Sequence, residues 1–112
     1  MKTIQLKQLI DEHNYRVLDM FDDETESQVI MRHKNYEKFI VVLASDKNSI
    51  SMNVIIPNEK EDHYVWGNID RGGTPNDPID FNNPSDKHLY LLKRGVQSRL
   101  TRMIEDIKER CE

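Results

Sequence analysis

Residues 28–56 read QVIMRH, KNYE, KFIVVLA, SDKN and SISMNVII in succession. Three apolar runs are parted by two short polar breaks, and that rhythm decides the fold. In the last run Ile50, Met52, Val54 and Ile56 alternate with Ser51, Asn53 and Ile55. A period of two is that of a strand with one buried face. Pro57 ends it. The middle run, Lys38 to Ala44, is nearly continuous from Phe39 to Leu43, the pattern of a central strand covered on both faces. The first run, Gln28 to His33, is another strand. Turns at Lys34–Glu37 and Asp46–Asn48 are short enough to imply antiparallel hairpins, hence a meander.

Upstream, Tyr15 to Phe21 reads as a further strand, with Tyr15, Val17 and Phe21 on one face and Arg16, Leu18 and Met20 on the other. A short helix precedes it, with Thr3 as its cap, Leu6, Leu9, Ile10 and His13 on one face, and Asn14 at its end. Downstream, His63 to Trp66 is a short fifth strand. The segment from Gly67 to Pro84 contains Gly72-Gly73 and three prolines and reads as irregular, pinned to the body by Ile69, Ile79 and Phe81. Ser85 then caps a long helix. Its apolar stripe is Leu89, Leu92, Val96, Leu100, Met103, Ile107 and Cys111, which at helical spacing runs about 39 Å. Gly95 interrupts that helix and suggests close packing or a kink. The expected fold is a single α+β domain over residues 1–112: an antiparallel meander of four to five strands, with a short N-terminal helix and a long C-terminal amphipathic helix packed on one face.

Charge is unevenly distributed. Five carboxylates fall between Asp19 and Glu26, with no Lys or Arg among them. Residues 1–83 hold 9 Lys/Arg and 15 Asp/Glu, and residues 84–112 hold 7 and 5. The body is acidic and the C-terminal segment mildly basic. A net charge of −4 argues against indiscriminate nucleic-acid binding by the whole surface. One cysteine allows no internal disulfide. No apolar run approaches a membrane span, and no leader is visible. These features point to a cytoplasmic protein without a membrane partner.

The motifs of chemistry are missing. His13, His33, His63 and His88 lack zinc-site spacing and a cysteine partner. Asp70-Arg71-Gly72-Gly73-Thr74 lacks the Lys of a phosphate-binding loop, and Asp70, Asp77 and Asp80 do not match a calcium loop. No nucleophile–base pair stands out, and Cys111 lies at the end of the chain. The expectation is a non-enzyme without cofactor or metal. The candidate contact residues are therefore carboxylates: Asp22, Asp23, Glu24 and Glu26 in the acidic turn, with a second acidic loop at Glu59, Glu61 and Asp62. The alternative is a basic stripe, Lys93, Arg94, Arg99 and Arg102, with Tyr90 the nearby aromatic for stacking.

The order of residues in the first half carries a further signal. Leu9-Ile10 and Glu12 lead to Tyr15-x-Val17. Ser27 and Ile30-x-Arg32 follow, then a polar turn with Asn35 and Glu37, then Asn48-Ser49-Ile50. This resembles the small acidic type II-A anti-CRISPR proteins of phages and prophages, which combine a short helix, a three-stranded meander and later helices. The chain departs from them in its fourth strand, its long Gly/Pro segment and its single long C-terminal helix. The resemblance implies a bacterial host cell and a partner, Cas9 with guide RNA, bound by carboxylates where the DNA duplex would meet arginines. It makes Asn35 and Glu37 contact residues. The leading expectation is thus a phage-type inhibitor, in effect a DNA mimic, that binds a protein effector with a basic groove. An immunity protein or another cytosolic protein-binding module uses the same physics. A nucleic-acid-binding module acting through the C-terminal helix is the third reading. Oligomeric state is open.

Overall fold

The structure, a computed structural model, describes the chain from residue 1 to 111 and the side chains of residues 1–110. It is α+β. Helix α1 spans Thr3–Lys7 and is followed by β1 (Tyr15–Asp22), β2 (Ser27–His33), β3 (Ile40–Ser45), β4 (Ile50–Ile56) and β5 (His63–Ile69). A two-stranded hairpin of β6 (Gly73–Thr74) and β7 (Asp77–Pro78) precedes the long helix α2 (Asp86–Cys111). The five long strands form one antiparallel sheet in chain order. The β1–β2 and β3–β4 turns therefore lie at one end of the sheet, and the β2–β3 and β4–β5 turns at the other.

Alternation builds the core. Val29 and Met31 of β2, Val41 and Leu43 of β3, and Ile50, Met52 and Val54 of β4 project to one face and are almost wholly buried. Helix α1 with the turn after it contributes Leu6, Leu9 and Ile10, and α2 contributes Leu92, Val96, Leu100, Met103, Ile104 and Ile107 to the same cluster. Helix α2 packs on β5 and β4, and α1 on β2, β1 and β3. Cys111, the last member of the expected stripe, lies outside the described side chains.

Several sequence expectations need correction. Helix α1 stops at Lys7, and His13 is exposed rather than on its buried face. Thr3 does not cap the helix. The Lys2 carbonyl accepts the first helical N–H groups, from Gln5 and Leu6 at 3.0 Å, and Thr3 turns to Asp22 instead. Strand β1 carries a bulge between Val17 and Asp19. One extra residue reverses the alternation, so Met20 and Asp22 face the helices and Phe21 faces away. Strand β5 runs three residues further than expected, to Ile69. The segment after it is not wholly irregular, because it contains the small β6–β7 hairpin.

Two glycines behave in opposite ways. Gly67 lets β5 approach α2: a Cβ there would lie 2.8 Å from Met103 Sδ and 3.0 Å from Arg99 Cδ. Gly95 marks no tight packing, since its Cβ would meet only Ile69 Cδ1 at an ordinary 3.6 Å. Ser85 does cap α2, its hydroxyl oxygen accepting the His88 N–H at 3.3 Å.

Candidate functional site: the open face of the sheet

Both helices cover the same face of the sheet, and its other face is open. The registers place Arg16, Arg32, Ile40, Ile55 and Tyr64 in one row across all five strands. A second row is Asp19, Ile30, Val42, Asn53 and Trp66, and a third is Phe21, Gln28, Ala44, Ser51 and Asn68. The middle of the face therefore holds an aliphatic cluster of Ile30, Ile40, Val42 and Ile55, beside Asn53, Gln28 and Ser51. Tyr64 (63% exposed) and Trp66 (59%) stand at the β5 edge, and Phe21 (54%) at the β1 edge. Aromatics so open to water and continuous with partly exposed isoleucines form a patch of the kind that marks contact surfaces. This corrects the expectation that β3 is covered on both faces: Ile40 and Val42 are only partly buried.

At the β1–β2 side this face becomes cationic. Arg16 and Arg32 are directly opposed, and with Lys34, Glu37 and His33 they line a cleft of about 370 Å³. Neither guanidinium takes part in an ion pair or hydrogen bond among the described residues. Arg32 Nε is buried without a partner, and so is Asn68 Oδ1 on the same face. The Lys34 ammonium donates to the Glu12 carbonyl at 2.6 Å. Burial pushes the His33 imidazole below its usual pKa, and its Nδ1 accepts the Asn35 N–H at 3.1 Å.

The acidic turn has a different character from that expected of it. The Asp22 carboxylate accepts the Thr3 N–H at 3.1 Å, the Thr3 hydroxyl at 2.8 Å and the Ser27 hydroxyl at 2.6 Å. These donors, Ser27 first, hold its pKa below the carboxylate range. Asp23 Oδ1 accepts the N–H groups of Thr25 and Glu26, both at 2.7 Å, and the Thr25 hydroxyl at 3.1 Å. Asp46 does the same in the neighbouring turn, accepting from Asn48 N–H at 2.8 Å and Ser49 N–H at 2.9 Å. Both aspartates build hairpin turns in the way short acidic side chains commonly do. Of the four expected contact carboxylates in this turn, Glu24 and Glu26 remain at its exposed tip.

Asn35 and Glu37 lie in the β2–β3 turn, at the other end of the sheet from the acidic turn, so the six expected contact residues do not converge. Glu59, Glu61 and Asp62, in the β4–β5 turn, share the end of Asn35 and Glu37. Tyr36 locks that end to α2: its ring sits 4.9 Å from His33 and 5.2 Å from Phe39, and its hydroxyl accepts from Lys108 Nζ at 2.9 Å.

The basic stripe divides as well. Arg99 and Arg102 line a groove of about 520 Å³ between β5 and α2, and Trp66 is on its opposite wall. Arg94 lies over the Tyr90 ring, 6.0 Å from its centre, and Lys93 is exposed away from that groove. Among the described residues no group of His, Cys, Asp or Glu is placed to hold a metal ion, and no helix is long and apolar enough to cross a membrane.

No protein family model, curated protein or solved structure matches this chain.

Proposed function

We propose that this protein is a protein-binding module whose partner docks on the open face of the five-stranded sheet. The observation that carries the reading is the continuity of exposed Tyr64 and Trp66 with Ile55, Ile40, Val42 and Ile30. Interface cores are enriched in aromatics and arginine and depleted in Lys and Glu, and this face has that composition. Large anchors such as Trp and Tyr carry most of the binding energy at such surfaces.

The inhibitor reading takes a narrower form. A partner with a basic groove, Cas9 among the possibilities that the resemblance implies, would meet Glu24 and Glu26 at the end of this face, not Asp22 and Asp23. A second reading rests on the groove of Arg99 and Arg102, whose β5 wall includes Trp66, because arginines next to an aromatic at a strand edge suit a single-stranded nucleic acid. The immunity-protein alternative uses the same open face and differs only in the partner.

The test is affinity capture from nuclease-treated bacterial lysate with three baits: wild type, Trp66→Ser with Tyr64→Ser, and Glu24→Lys with Glu26→Lys. One protein held by the wild type in stoichiometric amount and lost from the first variant supports the open face. Loss from the second variant alone moves the contact to the acidic tip. Retention by both variants rules out the two surfaces together.

A further inference from the structure

We propose that Arg16 and Arg32 form an oxyanion site that takes a phosphate dianion. Strand pairing sets the two side chains side by side, about 5 Å apart at Cβ, on the open face. Like charges directly opposed destabilise a strand pair, and a buried polar atom without a partner is costly. The chain carries both liabilities at one place: two unpaired guanidiniums and the orphaned Nε of Arg32. An anion between the forks removes the repulsion and gives the outer N–H groups of both guanidiniums an acceptor.

The cleft favours a dianion over a single carboxylate. Its side chains are three cations and one carboxylate, Glu37, beside a His33 whose Nδ1 is already an acceptor. A phosphate monoester carries roughly −1.5 to −2 at neutral pH, matching that excess. Each guanidinium offers a planar fork of N–H donors suited to bidentate phosphate contact. The Lys34 ammonium is held by the Glu12 carbonyl and adds charge at the rim, so the forks do the recognition. The phosphate can be free in solution or belong to a phosphorylated side chain of a protein docked on the adjoining face. The site itself stands whether or not that face docks a partner.

The experiment compares wild type, Arg16→Gln and Arg32→Gln by amide NMR and thermal melting, titrating inorganic phosphate against sodium chloride at matched ionic strength. Saturable shifts at Arg16, Arg32 and Lys34 are expected in the wild type, with affinity at least tenfold weaker in either variant. Without phosphate, the variants are expected to melt at or above the wild-type temperature, because they relieve repulsion, and to lose the phosphate-dependent rise. A phosphate response no larger than that of chloride overturns the proposal. So does a variant that melts lower yet responds to phosphate unchanged, since the arginines would then be structural only. Arg16 is exposed, which keeps Arg16→Gln informative if Arg32→Gln fails to fold. A peptide bearing one phosphoserine, titrated in parallel, identifies the source: binding tenfold tighter than inorganic phosphate assigns a partner's side chain, and equal or weaker binding assigns the free ion.

Discussion

Asp22 caps helix α1 from nineteen residues away, its two carboxylate oxygens taking the N–H and the hydroxyl of Thr3. The bulge at Leu18 makes this possible. Without the extra residue, Asp22 would point to the open face. Asp22→Ala is therefore expected to lower stability by about 0.5–2 kcal/mol, the range for removing a helix cap, in chemical denaturation followed by circular dichroism. A charge reversal that includes Asp22 would confuse unfolding with lost binding. The acidic tip is better tested at Glu24 and Glu26.

Stability is expected to fall in two stages as pH is lowered. Burial holds the folded-state His33 pKa below its usual value, so the unfolded chain takes up that proton first. The stability His33 contributes is whole above about pH 6.5 and declines as pH falls below it. The carboxylates of Asp22, Asp23 and Asp46 are held low by the donors around them, Ser27, Thr25 and Asn48 foremost. Their contribution is whole above about pH 4 and is lost as pH falls through their folded values. Melting temperature measured from pH 7 to pH 2 checks this. His33→Gln should remove the upper stage and Asp22→Asn part of the lower one.

The two glycines facing the β5–α2 contact should respond oppositely to alanine. Gly67→Ala places a methyl group against Met103 Sδ and Arg99 Cδ. Overpacking of that kind costs about 1–3 kcal/mol, with the lower end expected because both neighbours are flexible. Gly95→Ala has open space and relieves the entropic cost of a helical glycine, a gain of about 1 kcal/mol. Urea unfolding of both variants decides the matter: equal effects would mean that the separation of β5 and α2 differs from that described.

How much of this was legible in the residues themselves depends on distance along the chain. The strict alternation of Ile50 to Ile56 and the three-and-four spacing from Leu89 to Ile107 are local patterns, and both became the elements they imply. Turn chemistry at Asp46 was legible for the same reason. The bulge at Leu18 was not, because a single extra residue leaves β1 looking like a regular strand until its partner's register is known. Phe21 was consequently assigned to the wrong face. The apolar run of β3 suggested cover on both sides, yet apolar composition does not say whether the cover is a helix of the same chain or nothing. The opposition of Arg16 to Arg32, and Trp66 beside Arg99 and Arg102, arise from pairings between separate elements. No spacing within the chain encodes them. The acidic turn was ambiguous for another reason: aspartate serves equally as a surface charge and as a hairpin acceptor.

Trp66 is the single tryptophan and reports on its own surface. The residue is 59% exposed, so the free protein should emit near the wavelength of tryptophan in water and be readily quenched by acrylamide. Trp66→Ser removes little packing, and its stability is expected within about 0.5 kcal/mol of the wild type, as for surface substitutions generally. A protein docked on the open face would bury the ring, shift its emission to the blue and protect it from acrylamide. A single-stranded oligonucleotide that ran from the Arg99–Arg102 groove round the β5 edge to the ring would instead quench it by stacking, and that quenching would fade as salt rises. A captured partner that leaves the emission and the quenching of Trp66 unchanged would place its contact elsewhere, and the open face would lose its claim to be the binding surface.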